Sequence, residues 1–172
     1  MKRLVINSLF VLLISALASM QAQAMDMIDL PESCEDKGMN IIVCPLDDGI
    51  SIDDAIDSMK VRANSLNFKL VAHMPLSEQV IAMGQDARRM EIFQFCDALI
   101  AKQMVEYNIV FAGFLPCRIA IIEGEDGNGS IVTLNMDAMV NSVELTEDLQ
   151  KLGMKVRNTI FSIVQAGVEG DF

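Results

Sequence analysis

The chain has 172 residues, with 13 basic and 24 acidic side chains, one His, one Tyr and no Trp, and a formal charge of −11. That length supports one domain with its own core and not two of ordinary size. The acidic balance excludes a nucleic-acid surface built on clustered Lys and Arg. An apolar fraction of 52% with a mean hydropathy of +0.36 excludes a disordered chain.

The first 24 residues differ from the rest. Lys2 and Arg3 form a positive start, Leu4 to Leu17 is nearly all apolar, and Ala22-Gln23-Ala24 is an A-x-A cleavage signal. Residues 1–24 therefore read as a secretory signal peptide cut after Ala24, which implies a periplasmic or secreted protein. The apolar run of about 14 residues is short for a membrane anchor of roughly 20. No later run is long enough to span, so no stable membrane insertion is expected after cleavage. The leader carries two bases and no acid, which leaves 11 basic and 24 acidic side chains and a net charge of −13 over 148 residues.

Residues 25–38 read as an irregular arm, with Pro31 and Gly38. Met39 to Pro45 reads as a first strand and Asp47-Asp48-Gly49 as a turn. Ser51 is placed to cap a helix running to about Leu66, with Asp53 and Asp54 in its first turn and Ile52, Ala55, Ile56, Met59 and Ala63 at helical spacing. Asn67 to Met74 reads as a strand. Ser77 is expected to cap a short helix that Gly84 ends. Met90 to Cys96 alternates as a strand, expected to be buried on both faces near Phe93. Asp97 starts a helix over Ala98 to Tyr107, and Ile109 to Leu115 connects onward.

Arg118 to Glu123 and Ser130 to Met136 read as a hairpin around the turn Gly124 to Gly129. A short helix near Asp137 to Asn141 precedes a long one. Thr146 caps the long helix, Leu149, Leu152, Val156, Ile160 and Ile163 form its stripe, and Gly167 is expected to end it. The order predicts an α+β fold of two layers, a mixed or antiparallel sheet packed against helices, with a domain over 39–145 and a C-terminal helix over 146–172 packed on it or extending from it.

Four cysteines in an oxidising compartment suggest two disulfides, with three pairings open. Cys34 with Cys44 would staple the arm to the first strand, worth about 2–3 kcal/mol. Cys96 ends a strand at the start of a helix, where the dipole favours a thiolate. Cys117 begins a strand. If those strands are neighbours, the two sulfurs lie at one end of the sheet. That placement favours a second structural disulfide, Cys96 with Cys117; a redox pair, a two-thiolate metal site and two unrelated buried thiols are the alternatives. His73, Met74, Asp97 and Pro116 are candidate ligand-binding residues. Soft sulfur ligands suit Cu(I), but the 11 Met after the leader are scattered in sequence, and the metal is left open. Glu123, Glu125 and Asp126 fit no EF-hand spacing and read as a solvated turn.

The run Met90-Glu91-Ile92-Phe93-Gln94-Phe95-Cys96, then Leu115-Pro116-Cys117-Arg118-Ile119-Ala120-Ile121-Ile122-Glu123, then a strand ending Asn135-Met136-Asp137, resembles domain-of-unknown-function family 302 over about residues 40 to 145. The family usually shows Cys-Asn-Pro where this chain has Cys96-Asp97-Ala98. The resemblance implies a compact α+β domain, often a dimer, with no established activity. Recurrence of the two cysteines in cytoplasmic members would imply redox or metal work rather than a simple staple.

The expected function is a non-enzymatic exported domain that binds a small ligand, a metal or an envelope protein at the sheet end near Cys96, His73 and Pro116, with no cofactor implied. A thiol-disulfide redox protein using Cys96 and Cys117 is the alternative, although no C-x-x-C is present. A third is a homodimeric scaffold joined through the long helix around Leu149 to Ile163.

Overall fold

The computed structural model describes residues 27–171, so the expected leader and its cleavage point after Ala24 lie outside the described residues. Six strands form one sheet: β1 (Glu35–Asp36), β2 (Ile41–Pro45), β3 (Lys69–Pro75), β4 (Met90–Cys96), β5 (Cys117–Glu123) and β6 (Gly129–Leu134), in the order β1-β2-β6-β5-β4-β3. Every neighbouring pair is antiparallel. Five α-helices accompany it: α1 (Ile52–Ser65), α2 (Leu76–Ala82), α3 (Ala98–Tyr107), α4 (Met136–Val140) and α5 (Glu147–Glu169), and a 3-10 helix spans Ile109–Phe114.

Local chemistry sets most boundaries. The Ser51 hydroxyl accepts from the Asp54 amide at 3.1 Å and starts α1. Thr146 does the same for α5 through the Leu149 amide. β2 starts at Ile41 rather than Met39, because Met39 and Asn40 take positive φ in the tight turn after Gly38. Ser77 caps nothing. Proline occupies the N-cap of α2 without a side-chain bond, and the buried Ser77 hydroxyl accepts from the Met90 amide at 3.1 Å, tying α2 to β4. Gly167 does not end the last helix, which runs on to Glu169 and closes at Gly170 in the left-handed conformation. At Gly167 a β-carbon would lie 2.7 Å from both Met59 Cγ and Ile131 Cδ1, so glycine permits the close approach of α5 to α1 and the sheet.

The helices cover one face of the sheet. Ile42, Cys44, Phe93, Phe95, Ile119, Ile121 and Ile131 point into a core closed by Ala55, Ile56 and Met59 of α1 and Ile160, Ile163 and Val164 of α5. The stripe of α5 is therefore spent inside the fold, and the helix is packed on the domain rather than extending from it. It is not a free surface for a second copy, contrary to the scaffold expectation. Beneath it, a smaller cluster of Ile100, Met104 and Phe111 joins α3 and the 3-10 helix to Leu149 and Leu152.

Among the described residues no helix covers the opposite face. β4 alternates strictly: Glu91, Phe93 and Phe95 are buried, while Met90, Ile92, Gln94 and Cys96 are half-buried. Burial on both faces near Phe93 is thus corrected to burial on one.

Candidate functional site

Cys34 lies directly across from Cys44 when the β1–β2 register is continued by one residue, and the two form a disulfide with Cα atoms 4.1 Å apart. Cys44 is fully buried, so the bridge pins the arm to the core. Arg157 of α5 adds a second tie. Its guanidinium pairs with both oxygens of Asp137 at 2.8 and 3.2 Å, donates to the Ile28 carbonyl of the arm, and lies 4.2 Å from the Phe161 ring centroid.

The second expected disulfide is not formed in this structure: Cys96 and Cys117 are free thiols. β4 and β5 are neighbours with Phe95 across from Cys117, so Cys96 sits one residue further along its strand. Sheet spacings put Cα atoms in that diagonal relation roughly 6 Å apart, within reach of a disulfide. By alternation the two side chains would take opposite faces, but β4 ends at Cys96 and the chain turns into α3. Both thiols consequently line one cavity of about 30 Å³ between the sheet end, α3, the 3-10 helix and α5. Asp97, Met104 and Met139 share its wall. That volume suits a guest the size of one water molecule.

The electrostatics reverse one expectation. Helix N-termini favour thiolates through unpaired amides, but the amides of Leu99 and Ile100 are already taken by Asp97 Oδ1 at 3.0 and 3.2 Å. Burial, with the Asp97 carboxylate second, raises the Cys96 pKa instead of lowering it. Burial, with Cys96 second, pushes the Cys117 thiol up to about 12. Both are protonated at neutral pH and poor nucleophiles.

The other candidates are divided between sites. Asp97 is the N-cap and shares the cavity. Pro116, across from Cys96 and following a cis peptide bond, lines a separate groove with Gln94 and Arg118. His73 and Met74 are not at this end at all. β3 runs so that Lys69 pairs with Cys96, while His73 pairs with Phe93 and Met74 with Ile92. A bulge between Leu70 and Ala72 takes up one residue, so His73 lies opposite Phe93, three residues or roughly 10 Å along β4 from Cys96.

His73 belongs to a charge network that sequence reasoning missed. Its Nε2 lies 2.6 Å from Glu91 Oε2, and its ring stacks on Phe93 at 4.5 Å. The other Glu91 oxygen accepts from Arg89 Nε at 2.6 Å, and Arg89 reaches Asp53 of α1 at 2.7 Å. Burial opposes ionisation of Glu91, yet Arg89 and His73 outweigh it and hold its pKa below the usual range. The network binds the edge strand and α1 to the sheet. Its signal was in the sequence: a glutamate in the buried phase of Glu91-Ile92-Phe93-Gln94-Phe95 demands a cationic partner. In the hairpin, Asp126 bonds Asn128 and Glu125 pairs with Arg88, as a solvated turn does.

Among the described residues no helix is long and apolar enough to cross a membrane, and no three His, Cys, Asp or Glu side chains gather as a metal-holding group. No curated protein matches the chain. A crystal structure of an uncharacterized conserved DUF302 protein from Bacillus stearothermophilus has the same fold, with a TM-score of 0.60 at 16% identity over 74% of this chain and 98% of that one. The model of the family described as domain of unknown function DUF302 matches residues 42–166, taking in most of α5 and all of the sheet but β1 and Ile41, and the chain belongs to that family.

Proposed function

We propose that this protein is an exported, non-enzymatic binding domain whose site is the cavity walled by Cys96 and Cys117. One observation carries the reading: the chain closes Cys34 with Cys44 and leaves the other two thiols unbonded along a single cavity. Protonated thiols without a neighbouring base favour holding a guest over covalent catalysis. Export rests on the leader pattern and agrees with the use of a structural disulfide. The test is mass spectrometry of the mature protein recovered from the periplasm under non-reducing conditions. A chain beginning at Met25, with Cys34–Cys44 linked and with Cys96 and Cys117 unbonded and alkylated only after unfolding, supports the reading. A Cys96–Cys117 bond that glutathione reduces readily replaces it with the thiol-disulfide alternative, and recovery only in the cytoplasm overturns export.

A second reading, a homodimer, is favoured by the face of the sheet that no described helix covers. Ile41, Val43, Ile92, Ala120, Ile122, Val132 and Leu134 form a half-exposed, mainly apolar surface outside the core, bordered by Gln94 and Arg118. In a chain with 24 acids, the strands place one acid on that face, Glu35, and Lys37 neutralises it. A second copy of an acidic protein meets least repulsion there. Val132→Asp should convert a dimer to a folded monomer in light scattering. A wild type that is already monomeric removes this reading.

A further inference from the structure

The cavity's donor atoms select its guest, and this step rests on the reading of the cavity as a binding site. Two thiols and the thioether side chains of Met104 and Met139 line it. The one carboxylate in its wall, Asp97, already spends an oxygen on the α3 amides. A hard cation finds no set of oxygens there, and zinc finds no four nitrogen, sulfur or oxygen ligands of its usual kind. Soft sulfur donors in small number suit a d¹⁰ monovalent ion that accepts two or three ligands. The space takes one ion and not an organic molecule.

We propose that the cavity is a copper(I) site, in which the thiolates of Cys96 and Cys117 hold one ion and Met104 and Met139 flank it. The scattered methionines of the sequence thereby acquire a division of labour. Met59 and Met136 lie in the main core away from the cavity, while Met139 at the edge of that core and Met104 of the smaller cluster also line the cavity of the thiol pair, from α4 and α3. Binding is an exchange: two S–H bonds break, two protons leave to solvent, and two Cu–S bonds form with no change in the oxidation state of copper or sulfur. The product carries one net negative charge, against two for the free thiolate pair, which lessens the cost of holding charge beside the Asp97 carboxylate.

The mature protein is titrated anaerobically with Cu(I) against the chromogenic chelator bicinchoninate, with native mass spectrometry for stoichiometry. One ion per chain is expected, with two protons released per ion and an affinity that rises with pH accordingly. Cys96→Ser, at the half-exposed position, should abolish the complex. The volume-conserving Met104→Leu and Met139→Leu should each weaken it by about tenfold, with circular dichroism showing an intact fold. Should Cys117→Ser fail to fold, Cys96→Ser and the two Met variants still decide the matter. Binding that survives Cys96→Ser, or no binding by wild type, overturns the copper proposal. In that event, Cys96 protected from alkylation by another co-purifying guest leaves the binding reading standing, and Cys96 freely alkylated with no guest present removes both.

Discussion

Removing the staple is the sharpest test of how the arm is held. The Cys34–Cys44 bridge closes a loop with a sequence separation of 10. In the chain-entropy account, opening such a loop frees about 2.7 kcal/mol of unfolded-state entropy at 25 °C. Cys44 is fully buried, so Cys34→Ala/Cys44→Ala also leaves a small void, worth about 1 kcal/mol. The double variant should lose about 3–4 kcal/mol in urea denaturation, and Tm should fall by roughly 10 °C for a domain of this size. Dithiothreitol gives an independent handle. It should destabilise the wild type by about 2.7 kcal/mol, and it should leave the double variant unchanged, because the remaining cysteines are free thiols. A double variant within about 1 kcal/mol of wild type would refute the entropic reasoning. A further loss on reducing the double variant would show that Cys96 and Cys117 are bonded.

Glu91 has a depressed pKa in the fold, so its contribution is complete above the unfolded value near 4.3 and drains away as pH falls below it. Glu91→Gln should cost about 2 kcal/mol at pH 7 and flatten the acid limb of the stability curve measured by denaturation from pH 7 to 3; an unchanged limb would assign acid sensitivity elsewhere. Gly167→Ala gains about 1 kcal/mol of helix propensity but drives a methyl group into Met59 and Ile131, a clash costing about 1–3 kcal/mol. A net loss is expected in thermal melts, and stabilisation would contradict the close approach. Arg157→Met should cost about 2–3 kcal/mol through the lost Asp137 and Ile28 bonds, and limited proteolysis should then cut earlier within residues 27–33.

Local signals read well from the chain because they act within a few residues. Ser51, Asp97 and Thr146 cap the helices they were expected to cap, and β4 and α3 fall on the expected residues. Ser77 and Gly167 misled for one reason. A serine before a helical stretch and a glycine near a helix end are ordinary boundary residues, but here each answers to a distant partner, Met90 in one case and Met59 with Ile131 in the other.

The same division runs through the candidate site. Composition and the order of local signals bounded the protein to an acidic α+β domain, and the spacing of Cys34 and Cys44 around the Gly38 turn made their pairing natural. Which residues share a site was decided only by the antiparallel order of β3, β4 and β5. That order sets His73 three residues along β4 from Cys96, and the packing of α3 and α4 brings Met104 and Met139, distant in sequence, to the cavity of the two thiols. The direction of the thiol pKa shifts was likewise tertiary: a helix start predicts a thiolate, but Asp97 had already taken the amides and burial removed the water that would have stabilised the charge.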